Sequence, residues 1–191
     1  MSRGHLNLKE QYQKEVIPAM KKQFGLDNDL AVPRIIKVAV NTGVGRLMTT
    51  TSQGKSRDEL LTEIKKDFSI ITGQWPVERK AKKSVAAFKT RQGMTIGLSA
   101  TLRGQRMYDF LERLIKIVLP RVRDFRGLSP EAFDERGNLN VGIKEMMVFP
   151  EVPPTSSKHL FGLEITIVTA TKKKEQSVEM FKLLGFPFKK Q

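Results

Sequence analysis

A chain of 191 residues in which 39% are hydrophobic suits a single domain, residues 1–191, with a real core. Thirty-four Lys and Arg against twenty Asp and Glu leave a net charge of +14, which implies attraction to polyanions. The absence of cysteine excludes disulfides, thiol catalysis and cysteine-ligated zinc, and two histidines leave metal chemistry almost nothing to build on.

Of the two polyanions, membrane is the weaker partner. No stretch approaches the ~18 uninterrupted apolar residues that span a bilayer. The start, Met1 to Glu10, is too polar for a secretory signal. A reducing cytoplasm and a nucleic-acid partner are the resulting expectations, with no membrane and no cofactor.

Taken in chain order, residues 7–25 read as a helix. Leu8, Tyr12, Val16, Ile17, Met20 and Phe24 recur at three- and four-residue steps, Gly25 stops the run, and Pro18 predicts a kink or break inside it. Arg34 to Asn41 is rich in β-branched residues and reads as a strand. Thr42 to Ser56 is rich in Gly, Ser and Thr and reads as a loop. A helix over 57–72 follows, with Leu60, Leu61, Ile64, Phe68 and Ile71 on one face and Gly73 as its stop.

Residues 74–93 are basic and read as irregular. Met94 to Leu102 alternates as a strand does. Met107, Phe110, Leu111, Leu114, Ile115 and Val118 form one stripe of a helix over 105–119, ended by Pro120. Strands follow at 138–145 and 162–171, then a short helix at 174–184. Leu163, Ile165, Ile167 and Thr169 share one face of the last strand. Helices and grouped strands without a repeating βαβ unit imply an α+β fold, a mainly antiparallel sheet with helices on one face.

Patterns that invite an enzymatic reading fail on spacing. Gly54-Lys55-Ser56 resembles the end of a phosphate-binding loop, but the glycine required five positions earlier is Thr49. Gly43-Val44-Gly45 follows a strand as a dinucleotide fingerprint would, but the third glycine position holds Met48. A tight turn at a strand end explains those glycines better. His159 sits in a Pro/Ser/Thr loop, where a solvated histidine is the default. No catalytic residue and no metal ligand is assigned.

The cations are more telling. Between Gln74 and Arg126 there are thirteen against four anions, and Arg79, Lys80, Lys82 and Lys83 crowd into five positions just after a tryptophan. Such charges repel one another unless phosphates lie at their tips. They are spaced by Ala, Ser, Phe and Gly and flank a strand and a helix, so they read as a shaped surface. Shape and backbone contact are the usual way to hold folded RNA. From the residues alone the reading is an RNA or DNA binder, with RNA favoured.

Ordered runs then bring a resemblance. Val32-Pro33-Arg34-Ile35, Asn41-Thr42-Gly43-Val44-Gly45, Ile71-Thr72-Gly73-Gln74-Trp75-Pro76, Lys80 to Lys89 and Arg91-Gln92-Gly93-Met94 with Ile96-Gly97 are among them. Leu102-Arg103-Gly104, Pro120 to Leu128, Phe133-Asp134, Arg136-Gly137-Asn138, Phe149-Pro150-Glu151 and Gly185-Phe186-Pro187-Phe188 complete the series. Over nearly its whole length the chain resembles the bacterial form of the L-five (uL-five) family of large-subunit ribosomal proteins.

The resemblance implies a non-enzymatic structural role in the ribosome, with no small-molecule substrate. It implies attachment of 5S rRNA to the large subunit in the central protuberance, contact with P-site tRNA, and a share in a bridge to the small subunit. Partners so implied are 5S rRNA, 23S rRNA, P-site tRNA, neighbouring large-subunit proteins and a protein of the small-subunit head. Carried over by position, the 5S rRNA face comprises Lys37, Asn41, Gln74 and Thr101. The segment carrying Arg79, Lys80, Lys82 and Lys83 meets tRNA or other rRNA. Two segments depart from the family pattern: Arg46 to Arg57 is longer and richer in Ser and Thr, and Val152 to His159 replaces an acidic, tyrosine-containing stretch. Two other readings compete, a free-standing RNA-binding or ribosome-assembly factor of the same fold and a small phosphate-handling enzyme.

Overall fold

The computed structural model describes residues 7–50, 57–123, 125–152, 160–171 and 173–189. Helix α1 opens on Asn7, whose side chain accepts from the Lys9 N–H, and runs as Leu8–Gln11, Tyr12–Val16 and Ile17–Phe24. Gly25 ends it in the left-handed conformation, with φ +62°. Pro18 lacks an N–H, and its ring would crowd the carbonyl four residues back. The helix accommodates this by widening into a π-helical turn over Tyr12–Val16, closed by the Ile17 N–H on the Tyr12 carbonyl.

The same device recurs in α4, which runs as Gly104–Arg113, a π-helical turn Leu114–Val118, and Leu119–Arg121. There the Leu119 N–H reaches the Leu114 carbonyl and makes room for Pro120. The helix therefore passes Pro120 instead of ending at it, which corrects the stop read from the sequence.

The other elements are β1 (Ile35–Gly43), α2 (Gly45–Thr50), α3 (Arg57–Thr72), β2 (Val77–Lys80), β3 (Thr95–Leu102), β4 (Leu139–Ile143), β5 (Leu163–Thr169) and α5 (Lys174–Leu183). The five strands form one antiparallel sheet in the order β2-β3-β1-β5-β4, and with the helices they make the α+β fold expected. Two expectations need correction. The region 74–93 is not irregular, because it contains β2 and an ordered hairpin. The loop expected from Thr42 is a strand end and the helix α2 up to Thr50, while residues 51–56 lie outside the described residues.

The chain divides into two compact units, and the divisions fall inside strands β1, β4 and β5 and at the end of β3. The first unit comprises Met1–Val38, Leu102–Val141 and Thr166–Gln191. Its core takes Val16 and Met20 of α1 with Met107, Phe110, Leu111, Leu114 and Val118 of α4, all buried. An aromatic cluster closes it: Phe133 lies 5.6 Å from Phe181 and 5.8 Å from Phe188, and Phe186 meets Phe181 edge-on at 5.0 Å. The Tyr12 hydroxyl donates to the Pro33 carbonyl at 2.9 Å, and burial pushes its pKa up to about 12.

The second unit comprises Ala39–Thr101 and Gly142–Ile165. Val40, Leu98 and Ala100 of its strands are buried, as are Leu60, Ile64, Phe68 and Ile71 at helical spacing along α3. Glu78 opposes the buried Leu98 across the β2–β3 ladder, so its side chain lies on the core side of the sheet. There its carboxylate accepts from Lys65 of α3 at 2.5 Å. The pair shows that α3 packs on the core side, so the helix does not cover the other face of β2, β3 and β1.

Candidate nucleic-acid interface

Alternation decides what the open face displays. In β3 Leu98, Ala100 and Leu102 point to the core, so Gly97, Ser99 and Thr101 point away, with Thr101 exposed and Ser99 itself buried. In the neighbouring β1, Val38, Val40 and Thr42 are buried, so Lys37, Ala39 and Asn41 take the open side. The alternation slips between Ile35, which is buried, and Ile36, which is exposed. Across the β2 edge, Val77 opposes Ser99 and Arg79 opposes Gly97, which places both on the same open face.

Hydrogen bonds hold these groups in position. The Gln74 side chain donates from Nε2 to the Thr101 carbonyl at 3.2 Å, and Arg79 donates from Nε to Ser99 Oγ at 2.7 Å. Gly97 leaves room for β1, since a Cβ there would sit 3.0 Å from the Thr42 carbonyl oxygen. On the core side Thr95 Oγ1 donates to Glu78 Oε2 at 2.6 Å. The bond from Lys65, then that from Thr95, hold the Glu78 carboxyl below its ordinary value. In the first unit, alternation exposes Asn140 on β4 and half-exposes Thr166 on β5, and Thr166 Oγ1 donates to Asn140 Oδ1 at 2.8 Å.

Within the second unit, therefore, Asn41 and Thr101 share one face, and Gln74, in the turn before β2, is tied to the Thr101 carbonyl. Arg79 joins them through its bond to the buried Ser99, and sequence reasoning missed that pairing because the register that unites the two spans some twenty residues. Lys37, on the part of β1 that belongs to the first unit, is half-exposed. Arg79 stands on β2, its side chain tied to Ser99, and Lys80 ends the same strand.

Lys82 and Lys83 stand on an ordered hairpin. The Ala81 N–H bonds to the Met94 carbonyl at 2.8 Å and the Gly93 N–H to the Ala81 carbonyl at 3.0 Å. Val85 and Thr90 then exchange backbone bonds at 3.0 and 3.1 Å. A 3₁₀ turn, Ala86–Phe88, forms the tip, and Lys89 closes it in the left-handed region at φ +51°. Lys80, Lys82, Lys83, Lys89 and Arg91 are exposed along this arm, and Phe88 at its tip is 75% exposed. Charges kept apart on a rigid stem suit a polyanion with a fixed phosphate spacing.

Other motif residues serve the fold. Asp134 Oδ1 accepts from the Arg136 N–H at 2.9 Å and the Asn138 N–H at 2.7 Å, and Oδ2 accepts from Asn138 Nδ2 at 2.7 Å. Burial raises the Asp134 pKa, but these bonds from Asn138 and Arg136 outweigh it and hold the group below its usual value. The loop is pinned in turn to β5, because the Thr169 N–H donates to Asn138 Oδ1 at 3.1 Å and Thr169 Oγ1 to the Gly137 carbonyl at 3.1 Å. Arg121, Arg123 and Arg126 are all exposed. Gly43-Val44-Gly45 is a turn from β1 into the six-residue α2, with the Val44 N–H on the Ile96 carbonyl at 2.9 Å. Lys55 and Ser56, and most of the divergent segment Val152 to His159, lie outside the described residues.

A polar, hydrogen-bonded sheet face beside a cationic arm defines a basic α+β protein equipped to hold structured nucleic acid. Comparison with known proteins makes the class particular. Residues 28–91 match the family described as Ribosomal protein L5, and residues 95–188 match the model of that ribosomal family's C-terminus. The Large ribosomal subunit protein uL5 of Dictyoglomus turgidum is 50% identical over 183 residues, covering 96% of this chain and 98% of that protein. That of Halothermothrix orenii is 49% identical over 181 residues, covering 95% and 97%, and that of Kosmotoga olearia is 45% identical over 190 residues of two fully covered chains. The chain belongs to the ribosomal protein L5 family, whose members are structural, non-enzymatic constituents of the large ribosomal subunit.

Proposed function

We propose that this protein binds 5S rRNA through the open face of β1, β2 and β3 and so attaches it to 23S rRNA in the central protuberance of a cytoplasmic ribosome. The observation that carries the reading is the placement of Asn41 and Thr101 on one face, with Gln74 tied to the Thr101 carbonyl and Arg79 on the same face of β2. Uncharged donor–acceptors suit ribose hydroxyls and base edges, while Lys37 and Arg79 supply phosphate contacts. The arm carrying Lys80, Lys82 and Lys83 meets other RNA, namely P-site tRNA or 23S rRNA. Neighbouring large-subunit proteins and, across the inter-subunit bridge, a protein of the small-subunit head complete the partners.

The test is filter binding at moderate salt, comparing 5S rRNA with an unrelated hairpin of equal length. Clear preference for 5S rRNA is expected, with log affinity falling linearly in log salt at roughly 0.7–0.9 per phosphate contact. Equal affinity for the two RNAs would sink the specific-face reading. Co-sedimentation with large subunits through a salt wash separates a resident protein from a free-standing assembly factor, which would wash away.

A further inference from the structure

Trp75 is the only tryptophan of the chain, and it stands 57% exposed in the turn from α3 to β2. A ring of that size left in water loses the burial that normally stabilises it, so its position calls for a cause. The turn beneath it is fixed on both sides. The Thr72 hydroxyl lies 2.9 Å from the Phe68 carbonyl and 3.0 Å from the Gln74 carbonyl and shares its one hydrogen between them, and the Gly73 N–H bonds to the Ser69 carbonyl at 2.8 Å. Gln74, the preceding residue, is tied to Thr101, and Pro76, the following one, is buried. Two residues on, Val77 is 59% exposed on the open face opposite Ser99.

The charges around this turn choose the occupant. From Ile70 to Lys83 the cations are Arg79, Lys80, Lys82 and Lys83, and the only anion, Glu78, is engaged by Lys65 and Thr95. An exposed aromatic ring on a hydrogen-bonded turn, next to a residue of the proposed RNA face and followed along the chain by cations, fits an unpaired base of a bound strand whose phosphates those cations meet. We infer that Trp75 is a stacking platform for an unpaired base of the RNA bound on the open sheet face, an extension of that site resting on the function proposed above. Every base has a π-face, so the platform secures a flipped-out nucleotide without reading its identity.

Because the tryptophan is unique, its emission reports on this turn alone. The full-length protein is titrated with 5S rRNA and with an unrelated hairpin, following fluorescence and filter binding together, and melting temperature checks that each variant is folded. Saturable quenching by 5S rRNA is expected at the concentrations that saturate the filter. Trp75→Phe should bind nearly as well as the parent, whereas Trp75→Leu and Trp75→Ala should lose roughly five- to hundredfold in affinity. Unchanged emission, or a Trp75→Leu variant as tight as the parent, overturns the platform while an intact defect in Asn41→Ala with Gln74→Ala leaves the 5S reading standing. Loss of preference for 5S rRNA in the parent protein removes both. A Trp75→Ala variant that binds 5S rRNA normally but fails to enter large subunits assigns the ring to a protein partner, and overturns the platform as well.

Discussion

The side-chain amide of Gln74 donates from Nε2 to the backbone carbonyl of Thr101 at 3.2 Å, joining residues 27 apart in the chain. One N–H of Gln74 is therefore spent inside the protein, and its carbonyl oxygen and second N–H are what RNA can use. Gln74→Ala should act twice. It should weaken 5S rRNA binding, and it should lower folding stability by about 0.5–1.5 kcal/mol through the lost bond to Thr101. Urea unfolding beside filter binding checks this. A variant with unchanged stability and weakened binding would mean that the internal bond contributes nothing in solution.

Glu78 gives a pH dependence whose sign is fixed. Its folded pKa is lowered by the bonds from Lys65 and Thr95 below the ordinary 4.5. The stabilisation is therefore fully present above that ordinary value and is lost as pH falls through the lowered one. Asp67 pulls the other way, since burial and then Glu63 raise its pKa. Comparing Glu78→Gln with the parent isolates the first effect. The stability gap between the two should be widest near neutrality and close below about pH 4.5. A gap that stays constant from about pH 7 to about pH 3 would show that the Lys65 contact is a surface pair of no consequence.

Gly137 should tolerate no side chain. It holds φ +77°, and a Cβ there would lie 2.5 Å from Ser177 Oγ, a buried group that also faces Thr169 Oγ1 at 3.3 Å. Left-handed strain alone is worth about 1–3 kcal/mol, and the clash adds to it. Gly137→Ala should lower the melting temperature by several degrees while leaving per-molecule 5S rRNA affinity of the folded fraction unchanged. A variant that melts like the parent would mean that the Asp134–Asn138 loop relaxes freely.

The helices α1, α3, α4 and α5 and the strands β1, β3, β4 and β5 were legible because period and burial agree, whereas α2 lies in a Gly/Ser/Thr-rich stretch that reads as a loop. Leu60, Ile64, Phe68 and Ile71 are all buried at helical spacing, and Leu163, Ile165, Ile167 and Thr169 are all buried on alternate positions. Strand β2 was not legible, because Val77-Glu78-Arg79-Lys80 is a short edge strand with a single apolar residue, and only its pairing with β3 defines it. Pro120, read as a stop, misled for a different reason. Pro18 and Pro120 do break the regular bond pattern, but a π-helical turn two residues earlier absorbs each break, a tertiary solution that no local rule foresees. Of the candidate site, the positions came from family resemblance, whereas the Arg79–Ser99 and Gln74–Thr101 bonds needed the register between strands.

The two RNA surfaces can be separated by substitution. Asn41→Ala with Gln74→Ala deletes hydrogen bonds aimed at one folded site, so affinity for isolated 5S rRNA should fall about tenfold at roughly 0.5–1.5 kcal/mol per bond. Replacing Lys80, Lys82 and Lys83 by Gln acts on the arm, whose stem is held by the Ala81–Met94 and Val85–Thr90 backbone bonds and so should stay folded. Isolated 5S rRNA should bind this triple variant nearly as well as the parent. Incorporation into subunits or tRNA positioning should suffer instead. That defect should shrink at low salt, because longer screening lengths let the remaining Lys89 and Arg91 act over greater distance. The decisive series is filter binding of both variants to 5S rRNA alone. Should the lysine triple lose more affinity than the Asn41/Gln74 double, the sheet face and the arm have exchanged roles, and 5S rRNA lies along the arm.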